Sequence, residues 1–196
     1  MVGYNNDINR QIKHFEEIIF SNEVLTKILT NAENVGLDYY YIGAGCIAQT
    51  IWNYQMNYDL NYGISDIDFV YFDSSDLSFE AENKIIEKVK NKINICPSNL
   101  DIKNQARVHI WYKKHFGYDI KPYNSLEEAI NTWPTTATSI GVKLENNKLK
   151  IYAPFGLNDI FGLIVKANKA QITEKIYLEK VNKWKAKWPS LKIISW

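Results

Sequence analysis

Apolar residues recur at helical spacing between about Asn6 and Ala32, near the start of the chain. Most stand three or four residues apart, and the repeat is interrupted around Ser21 to Glu23. Because this spacing places apolar side chains on one face of a helix, the pattern predicts two short amphipathic helices that meet at the interruption.

Three short segments are predicted to be strands, and the first of them is an apolar, aromatic run that suits a buried strand. They are Tyr39–Ile42, Ile67–Phe72 and Leu100–Lys103. A helix is predicted after the first run, over about Cys46–Asn57, and another after the second, over about Ser78–Lys92. The apolar positions of the latter have helical spacing within a charged segment.

The second half of the chain predicts four more helices. Ser125 followed by Leu-Glu-Glu has the form of a helix N-cap with acidic residues in the first turn. Gly117 and the Trp133-Pro134 pair are expected to end two of the helices. The predicted helices are Gln105–Phe116, Ser125–Trp133, Leu157–Lys166 and Thr173–Trp188.

A turn-forming pair, Asn146-Asn147, separates two segments in which apolar and polar residues alternate. The segments are Thr138–Leu144 and Lys148–Tyr152. Alternation on both sides of such a pair is typical of a β-hairpin. Together with the helices around it, the hairpin predicts a small C-terminal hairpin and helical region.

Length and composition fit one domain. The chain has 196 residues, of which 46 % are hydrophobic, enough to bury one substantial core and short for two. No internal repeat, low-complexity tract or flexible linker marks a boundary. We therefore expect a single α+β domain, 1–196, with a mixed β-sheet flanked by helices. Its parts are N-terminal helices over about 6–33, a core over about 38–116 and a C-terminal extension over about 117–196.

The charge of the chain disfavours a long polyanionic partner. Lysine plus arginine number 23 and aspartate plus glutamate 22, so the formal net charge is +1. A chain this close to neutral has no global field with which to hold long nucleic acid. A small-molecule substrate or acceptor is favoured.

Targeting and redox signals are also informative. No run of about 18 apolar residues occurs, so neither a membrane span nor a signal peptide is predicted. The two cysteines, Cys46 and Cys96, are 50 residues apart and have no second Cys or His at ligand spacing. This argues against a zinc site or a disulfide framework. We therefore expect a cytoplasmic protein without membrane contact.

Asp66, Asp68 and Asp101 are the residues most suited to chemistry. Two aspartates separated by one residue on a strand point to the same face of a sheet, and an aspartate on a neighbouring strand can close the group. Such a group can hold Mg²⁺ or Mn²⁺ against a phosphate. Solvated charge explains an isolated Asp-x-Asp equally well, but the apolar neighbours of this triplet draw it towards a sheet, where unpaired carboxylates are costly.

A glycine-rich turn, Gly43-Ala44-Gly45, lies between the first predicted strand and the following helix. Glycine lets a phosphate approach the backbone, and the positive end of the helix can receive it. On its own such a pair of glycines is more often plain turn chemistry. The order of the turn, the aspartate pair and the third aspartate is the informative signal.

This order resembles the polymerase-beta-type nucleotidyltransferase superfamily. Four segments look more closely like a bacterial family of small, uncharacterised nucleotidyltransferase-like proteins, over about Tyr41 to Trp196. They are Gly63–Asp68, Asn104–His109, Pro134–Thr138 and Tyr152–Leu157. The resemblance implies a mixed sheet, a need for Mg²⁺ or Mn²⁺, and transfer of a nucleotidyl group from a nucleoside triphosphate to an acceptor hydroxyl.

By the same resemblance, Asp66 and Asp68 match the paired metal ligands, Asp101 the third carboxylate and Gly45 the glycine of the phosphate turn. One departure is Cys46, where the superfamily usually has glycine or serine. Backbone contact with a phosphate survives this change, whereas a serine-like contact is in doubt. A small buried thiol is the simpler interpretation of Cys46.

Further polar residues are expected near a substrate. Lys103 lies two residues past Asp101 on the same strand face, and Arg107 offers a bidentate fork for phosphate, although salt-bridge roles suit both equally well. Thr136 and Thr138 have the groups to hydrogen-bond a substrate, and turn chemistry explains them almost as well. His109 and His115 are interpreted as packed residues.

Two rival functions stay open. A non-catalytic nucleotide-binding or interaction module could keep the same fold, and metal-dependent turnover of a triphosphate would separate it from an enzyme. A glycosyltransferase could use Asp-x-Asp to hold a sugar nucleotide, but that interpretation leaves Gly45 and Asp101 without a role. The sequence identifies neither the acceptor nor the triphosphate.

Overall fold

A five-stranded mixed sheet lies at the centre of the computed structural model, which describes residues 1–94 and 100–196. In space the strands follow the order β3-β2-β1-β4-β5. The pair β2 and β3 is parallel, and every other neighbouring pair is antiparallel. The strands are β1 (Tyr40–Gly43), β2 (Ile67–Tyr71), β3 (Leu100–Asn104), β4 (Gly141–Glu145) and β5 (Lys148–Tyr152).

Helices precede, separate and follow these strands, so the predicted α+β fold with a mixed sheet is confirmed. The helices are α1 (Ile8–Ser21), α2 (Glu23–Ala32), α3 (Gly45–Gln55), α4 (Phe79–Ile93), α5 (Val108–Phe116), α6 (Leu126–Asn131), α7 (Asn158–Phe161) and α8 (Glu174–Lys187). The interruption predicted near Ser21 is real, because the Asn22 side chain accepts hydrogen bonds from the first backbone N–H groups of α2.

One face of the sheet carries the main core. Ile67, Phe69 and Tyr71 of β2 are buried there, together with Ile42 of β1 and Ile102 of β3. Apolar faces of α1, α2, α3 and α4 complete the same cluster. The alternation of side chains along each strand produces this arrangement, since every second residue of β2 points to the core.

The opposite face carries a smaller apolar cluster together with polar groups. Val70 of β2 joins Leu126 and Ile130 in a small separate cluster, against which Trp133 packs. Helix α6, which begins after the predicted N-cap Ser125, covers this part of the sheet. Asp68, two residues before Val70, therefore belongs to the more open face.

The predicted hairpin is confirmed at its turn and corrected at its start. Asn146 and Asn147 both have positive φ, +53° and +59°, as a two-residue hairpin turn requires. Strand β4 begins at Gly141 rather than near Thr138. The reason is local, because the N–H of Ser139 donates to the carbonyl oxygen of Thr135 at 2.9 Å and makes a turn there.

The predicted helix over Leu157–Lys166 is wrong in extent. Only α7 forms, and the backbone turns left-handed at Leu163, with φ of +55°. Two short strands then pair in parallel, β6 (Ile164–Val165) and β7 (Lys192–Ile193). Pairing with residues near the end of the chain overrides the local helical pattern, and no local signal predicted β7.

The predicted last helix packs against α3 through tryptophan rings. The rings of Trp184 and Trp188 each pack edge-on against Trp52 of α3, with centroids 5.6 Å apart. The Trp188 indole Nε1–H also donates to Asn53 Oδ1 at 2.6 Å. These contacts fix α8 against α3 and so place the whole of α8 relative to the sheet.

Cys46 is buried as a free thiol, while Cys96 lies outside the described residues. Within 1–94 and 100–196, no helix combines the length and the apolar character needed to cross a membrane.

Candidate metal centre

Two adjacent parallel strands bring the aspartates together. β2 and β3 pair with Asp68 directly opposite Asp101, and Asp66 lies just before β2. Side-chain alternation sends Asp66 and Asp68 to the same face. One carboxylate oxygen from each of the three residues lies within 4.8 Å of the other two. The three carboxylates predicted from the sequence therefore converge.

Burial and like charge perturb the half-buried carboxyl of Asp68. Its pKa is raised to about 7, first by burial and then by the charges of Asp66 and Asp101. Three carboxylates at this spacing repel one another, and a cation between them would offset the repulsion. Carboxylate oxygens are also the ligands that Mg²⁺ and Mn²⁺ prefer. The residues present thus fit a divalent cation.

Two lysines accompany the carboxylates. The ammonium of Lys103 forms an ion pair with Asp101, as its place on the same strand face predicts. Lys180 approaches from α8. The pKa of its ammonium is lowered, because the effect of burial exceeds the opposite effect of the charges of Asp68 and Asp66. Helical spacing does not distinguish Lys180 from the other lysines of α8, so the sequence offered no signal for it.

The turn between β1 and α3 has an unusual backbone. Ala44 has φ of +59° and ψ of −128°, a region that residues with a side chain rarely adopt. Its N–H donates to the carbonyl oxygen of Ile140 at 2.9 Å. Helix α3 begins immediately afterwards, at Gly45, so its first N–H groups have no partner within the helix and can receive an anion.

Gly45 and Cys46 occupy the first positions of α3. A side chain at Gly45 would meet Gln49 Nε2 at 3.0 Å, so glycine keeps this corner open. The Cys46 thiol is fully buried and donates to the Gly43 carbonyl oxygen at 3.1 Å. Burial raises the pKa of this thiol well above its usual range. Cys46 thus packs into the core and offers only its backbone N–H to a ligand.

Gly43 has a role that the sequence did not reveal. It lies directly opposite Asp68 in the antiparallel pairing of β1 and β2. A Cβ at Gly43 would stand 2.8 Å from both the Trp133 ring and the Ile140 carbonyl oxygen. The absence of a side chain therefore lets the indole of Trp133 lie against β1, one strand away from Asp68.

A cavity of about 220 Å³ opens beside Asp68. Strand residues Val70 and Lys103, the turn residue Ala44 and Lys180 of α8 line it. Much of the remaining wall is aromatic, formed by Trp111, Tyr112, Phe116, Tyr123 and Trp133. The cavity thus joins the carboxylate cluster to a largely apolar recess.

A larger cavity, of about 650 Å³, lies near the far end of β2. It is lined by 36–39, 71–75 and 124–127, and by none of the three carboxylates. Because Asp68, whose carboxyl pKa is raised to about 7, lines the smaller cavity, we place the chemistry there.

The structure does not bring three other predicted residues to the carboxylates. Arg107 forms an ion pair with Glu82, and its Nε–H donates to the Leu77 carbonyl oxygen at 2.9 Å. Thr136 Oγ1 donates to Asp159 at 2.6 Å, and buried Thr138 bonds to Thr135. These contacts suit structural roles, and contact of the three residues with a substrate stays a prediction.

Comparison with known proteins supports the expected fold and family. Residues 30–193 match the sequence model of a family described as nucleotidyltransferase. A protein whose NMR structure is described as revealing a CCA-adding enzyme head domain shares 23 % identity with the chain, at a TM-score of 0.76. The match covers 94 % of this chain and 96 % of that one, and it confirms the nucleotidyltransferase-type fold. No curated protein matches significantly. Because the family match spans most of its length, the chain belongs to the nucleotidyltransferase family.

Proposed function

We propose that the protein transfers a nucleoside monophosphate from a nucleoside triphosphate to an acceptor hydroxyl, with a divalent metal ion as cofactor. The observation that carries this proposal is the convergence of Asp66, Asp68 and Asp101 across two strands in register. The cluster stands next to the turn at Ala44 and Gly45, where a helix begins. Carboxylates beside an anion-receiving turn are the two parts that such a transfer needs.

The carboxylates of Asp66, Asp68 and Asp101 would hold Mg²⁺ or Mn²⁺. When bound, the ion offsets phosphate charge and activates the oxygen that attacks. The pKa of Asp68, raised to about 7, fits this role, since a site that disfavours its own negative charges gains from a cation. Asp101 would be a metal ligand, and its carboxylate is also the candidate general base.

The rest of the site would hold the triphosphate so that its α-phosphorus faces the acceptor oxygen. Backbone N–H groups of Gly45 and Cys46 receive phosphate oxygens at the start of α3. The ammonium groups of Lys103 and Lys180 add positive charge beside the carboxylates. The acceptor oxygen forms a bond to the α-phosphorus, the bond to the bridging oxygen breaks, and pyrophosphate leaves with that electron pair. The hydroxyl proton passes to a base such as Asp101.

Other features of the proposal follow from charge and composition. The acceptor is a small molecule rather than long nucleic acid, because the formal net charge of +1 gives no extended field. The chain works as one domain in the cytoplasm, in which the C-terminal extension supplies strands β4 and β5 of the central sheet. Contacts of Arg107, Thr136 or Thr138 with the substrate would require them to leave their present partners.

The test is label transfer. The protein is incubated with Mg²⁺ or Mn²⁺, each of the four common triphosphates labelled at the α-phosphorus, and cell extract. We expect one class of molecule to gain label in a metal-dependent way, and Asp68→Asn to reduce the rate at least about a thousandfold. Asp119→Asn is the matched control, since that aspartate is exposed and pairs with Lys113.

The rival outcome is a non-catalytic nucleotide-binding module. It would bind triphosphate with metal yet give no labelled product and no pyrophosphate from any of the four triphosphates. Asp68→Asn and Asp119→Asn would then be indistinguishable in the label assay.

A further inference from the structure

One row of side chains leads from the carboxylates into the 220 Å³ cavity. Asp101 and Lys103 alternate along β3, and Gln105 follows two residues later, just past the end of the strand. Lys103 and Gln105 both line the cavity. The row therefore connects the charged end of the site to its apolar recess.

Gln105 is largely buried and lines the cavity. The residue is only 6 % exposed, and its side-chain amide makes no hydrogen bond to any residue within 1–94 and 100–196. Its amide atoms are not among the fully buried polar atoms that lack a partner, so the amide is accessible from the cavity. An amide carries donors and an acceptor side by side, so Gln105 is equipped to bind the polar edge of a ligand.

The walls of the cavity suit a flat ring. Trp133 is held against β1 by the missing side chain of Gly43, and Tyr112 packs with Phe116 at a centroid distance of 4.4 Å. Each of these three aromatic residues lines the cavity. Aromatic walls bind nucleobases by stacking, whichever base is present.

The position of the cavity indicates that the flat ring bound there belongs to the triphosphate. Ala44, at the turn proposed to receive phosphate, lines the same cavity, as do Asp68 and Lys180. A triphosphate held there has its own sugar and base within reach of the recess. At about 220 Å³ the cavity is smaller than the roughly 300–1,000 Å³ of ordinary ligand sites, so it suits a base with part of its sugar.

We propose that this cavity is the nucleobase subsite of the triphosphate, and that Gln105 hydrogen-bonds the edge of the base while the aromatic walls stack on its face. The inference rests on the proposed function and adds a residue that sets the choice of triphosphate. Gln105 would contact the base and no reacting atom, so it is a specificity residue and not a catalytic one.

The experiment compares ligands with and without a base. Calorimetry with Mn²⁺ present measures Kd for the four common triphosphates and for inorganic tripolyphosphate. We expect at least one nucleoside triphosphate to bind about tenfold or more tightly than tripolyphosphate. Gln105→Met, which keeps the volume and removes the hydrogen bonds, should reduce that preference about tenfold and leave the Kd of tripolyphosphate unchanged.

A second variant tests whether the effect of Gln105→Met comes from altered packing and not from the lost hydrogen bonds. Gln105→Glu keeps the shape but replaces the amide donors by acceptors, so it should change the order of preference among the four triphosphates. Equal Kd values for all five ligands in the wild type, or a preference unchanged in both variants, would overturn the subsite and leave the transferase proposal standing. If none of the five ligands binds with Mn²⁺ or Mg²⁺, both proposals fail.

Discussion

The two faces of strand β2 differ in what they hold. Ile67, Phe69 and Tyr71 point into the main core and are almost fully buried. Asp68 and Val70 point to the other face, where a carboxylate cluster and a cavity lie beside a small apolar cluster. Within β2, one face therefore contributes to the stability of the fold and the other to the candidate site. Substitutions on the core face should mainly change stability, and those at the carboxylates should mainly change ligand binding and activity.

The largest effect on stability is expected on the core face. Phe69 is fully buried and its ring stacks on Tyr40 at a centroid distance of 5.3 Å. Phe69→Ala should lower the free energy of unfolding by about 3–5 kcal/mol, because it removes apolar contact and leaves a cavity. Denaturant unfolding measures this, with Phe79→Ala as the control, since Phe79 is 67 % exposed. A similar loss in both variants would contradict the assignment of the core face.

A smaller loss is expected at Gly43, which lies opposite Asp68 on the neighbouring strand β1. Gly43→Ala places a Cβ against the backbone carbonyl of Ile140 and the Trp133 ring, which should cost about 1–3 kcal/mol. Gly45→Ala is the matched control, because its Cβ meets only the flexible end of Gln49 and should cost less. Denaturant unfolding of the two variants measures the two losses. An equal loss of stability would contradict the inferred fit of the Trp133 ring against Gly43.

The open face should give a pH dependence in metal-free protein. The folded-state pKa of Asp68 is raised to about 7, so between its usual value and 7 the folded protein binds a proton that the unfolded chain does not. The free energy of unfolding should therefore fall as pH rises through that range, by roughly 1–2 kcal/mol after solvent screening. Asp68→Asn should remove this fall.

Urea unfolding between pH 5 and 8 with a chelator present measures the effect. Asp119→Asn, on an exposed residue far along the chain, serves as the comparison and should keep the wild-type slope. A wild-type protein that gains stability over this range would show that Asp68 is charged and well paired in the metal-free fold.

The smallest effect has the opposite sign. Ala44 adopts a backbone conformation, with φ of +59°, that glycine tolerates without strain. Ala44→Gly should raise the free energy of unfolding by about 1 kcal/mol or less, since relief of strain exceeds the added entropy of the unfolded chain. A thermal melt detects the change, and destabilisation would mean that the methyl group contributes more by packing than it costs in strain.

The sequence predicted the parts of the fold that follow from local pattern. Period-two alternation placed Asp66 and Asp68 on one face, and the Asn146-Asn147 pair predicted the hairpin turn. Both features depend on residues close together in the chain, so a single sequence contains the necessary information. The convergence of Asp101 with the pair also followed, because adjacent strands share a face.

The remainder depends on contacts between distant segments. Lys180 reaches the cluster only because Trp184 and Trp188 fix α8 against Trp52. The fit of Trp133 against Gly43 joins residues 90 positions apart in the sequence. Strands β6 and β7 form by pairing with each other and have little pattern of their own. Local periodicity carries no information about such pairings.

The central claim is that the three carboxylates serve a metal–nucleotide complex and not the fold. The most direct measurement is the melting temperature of wild type, Asp66→Asn, Asp68→Asn and Asp101→Asn, each with and without Mn²⁺ plus triphosphate. At a ligand concentration about 100 times Kd, the wild type should gain about 5–10 °C. Each variant should lose this gain while melting, without ligand, at the wild-type temperature or above it, because charge repulsion is relieved. Variants that melt far lower without ligand would contradict the claim, since the aspartates would then be structural partners in the metal-free fold.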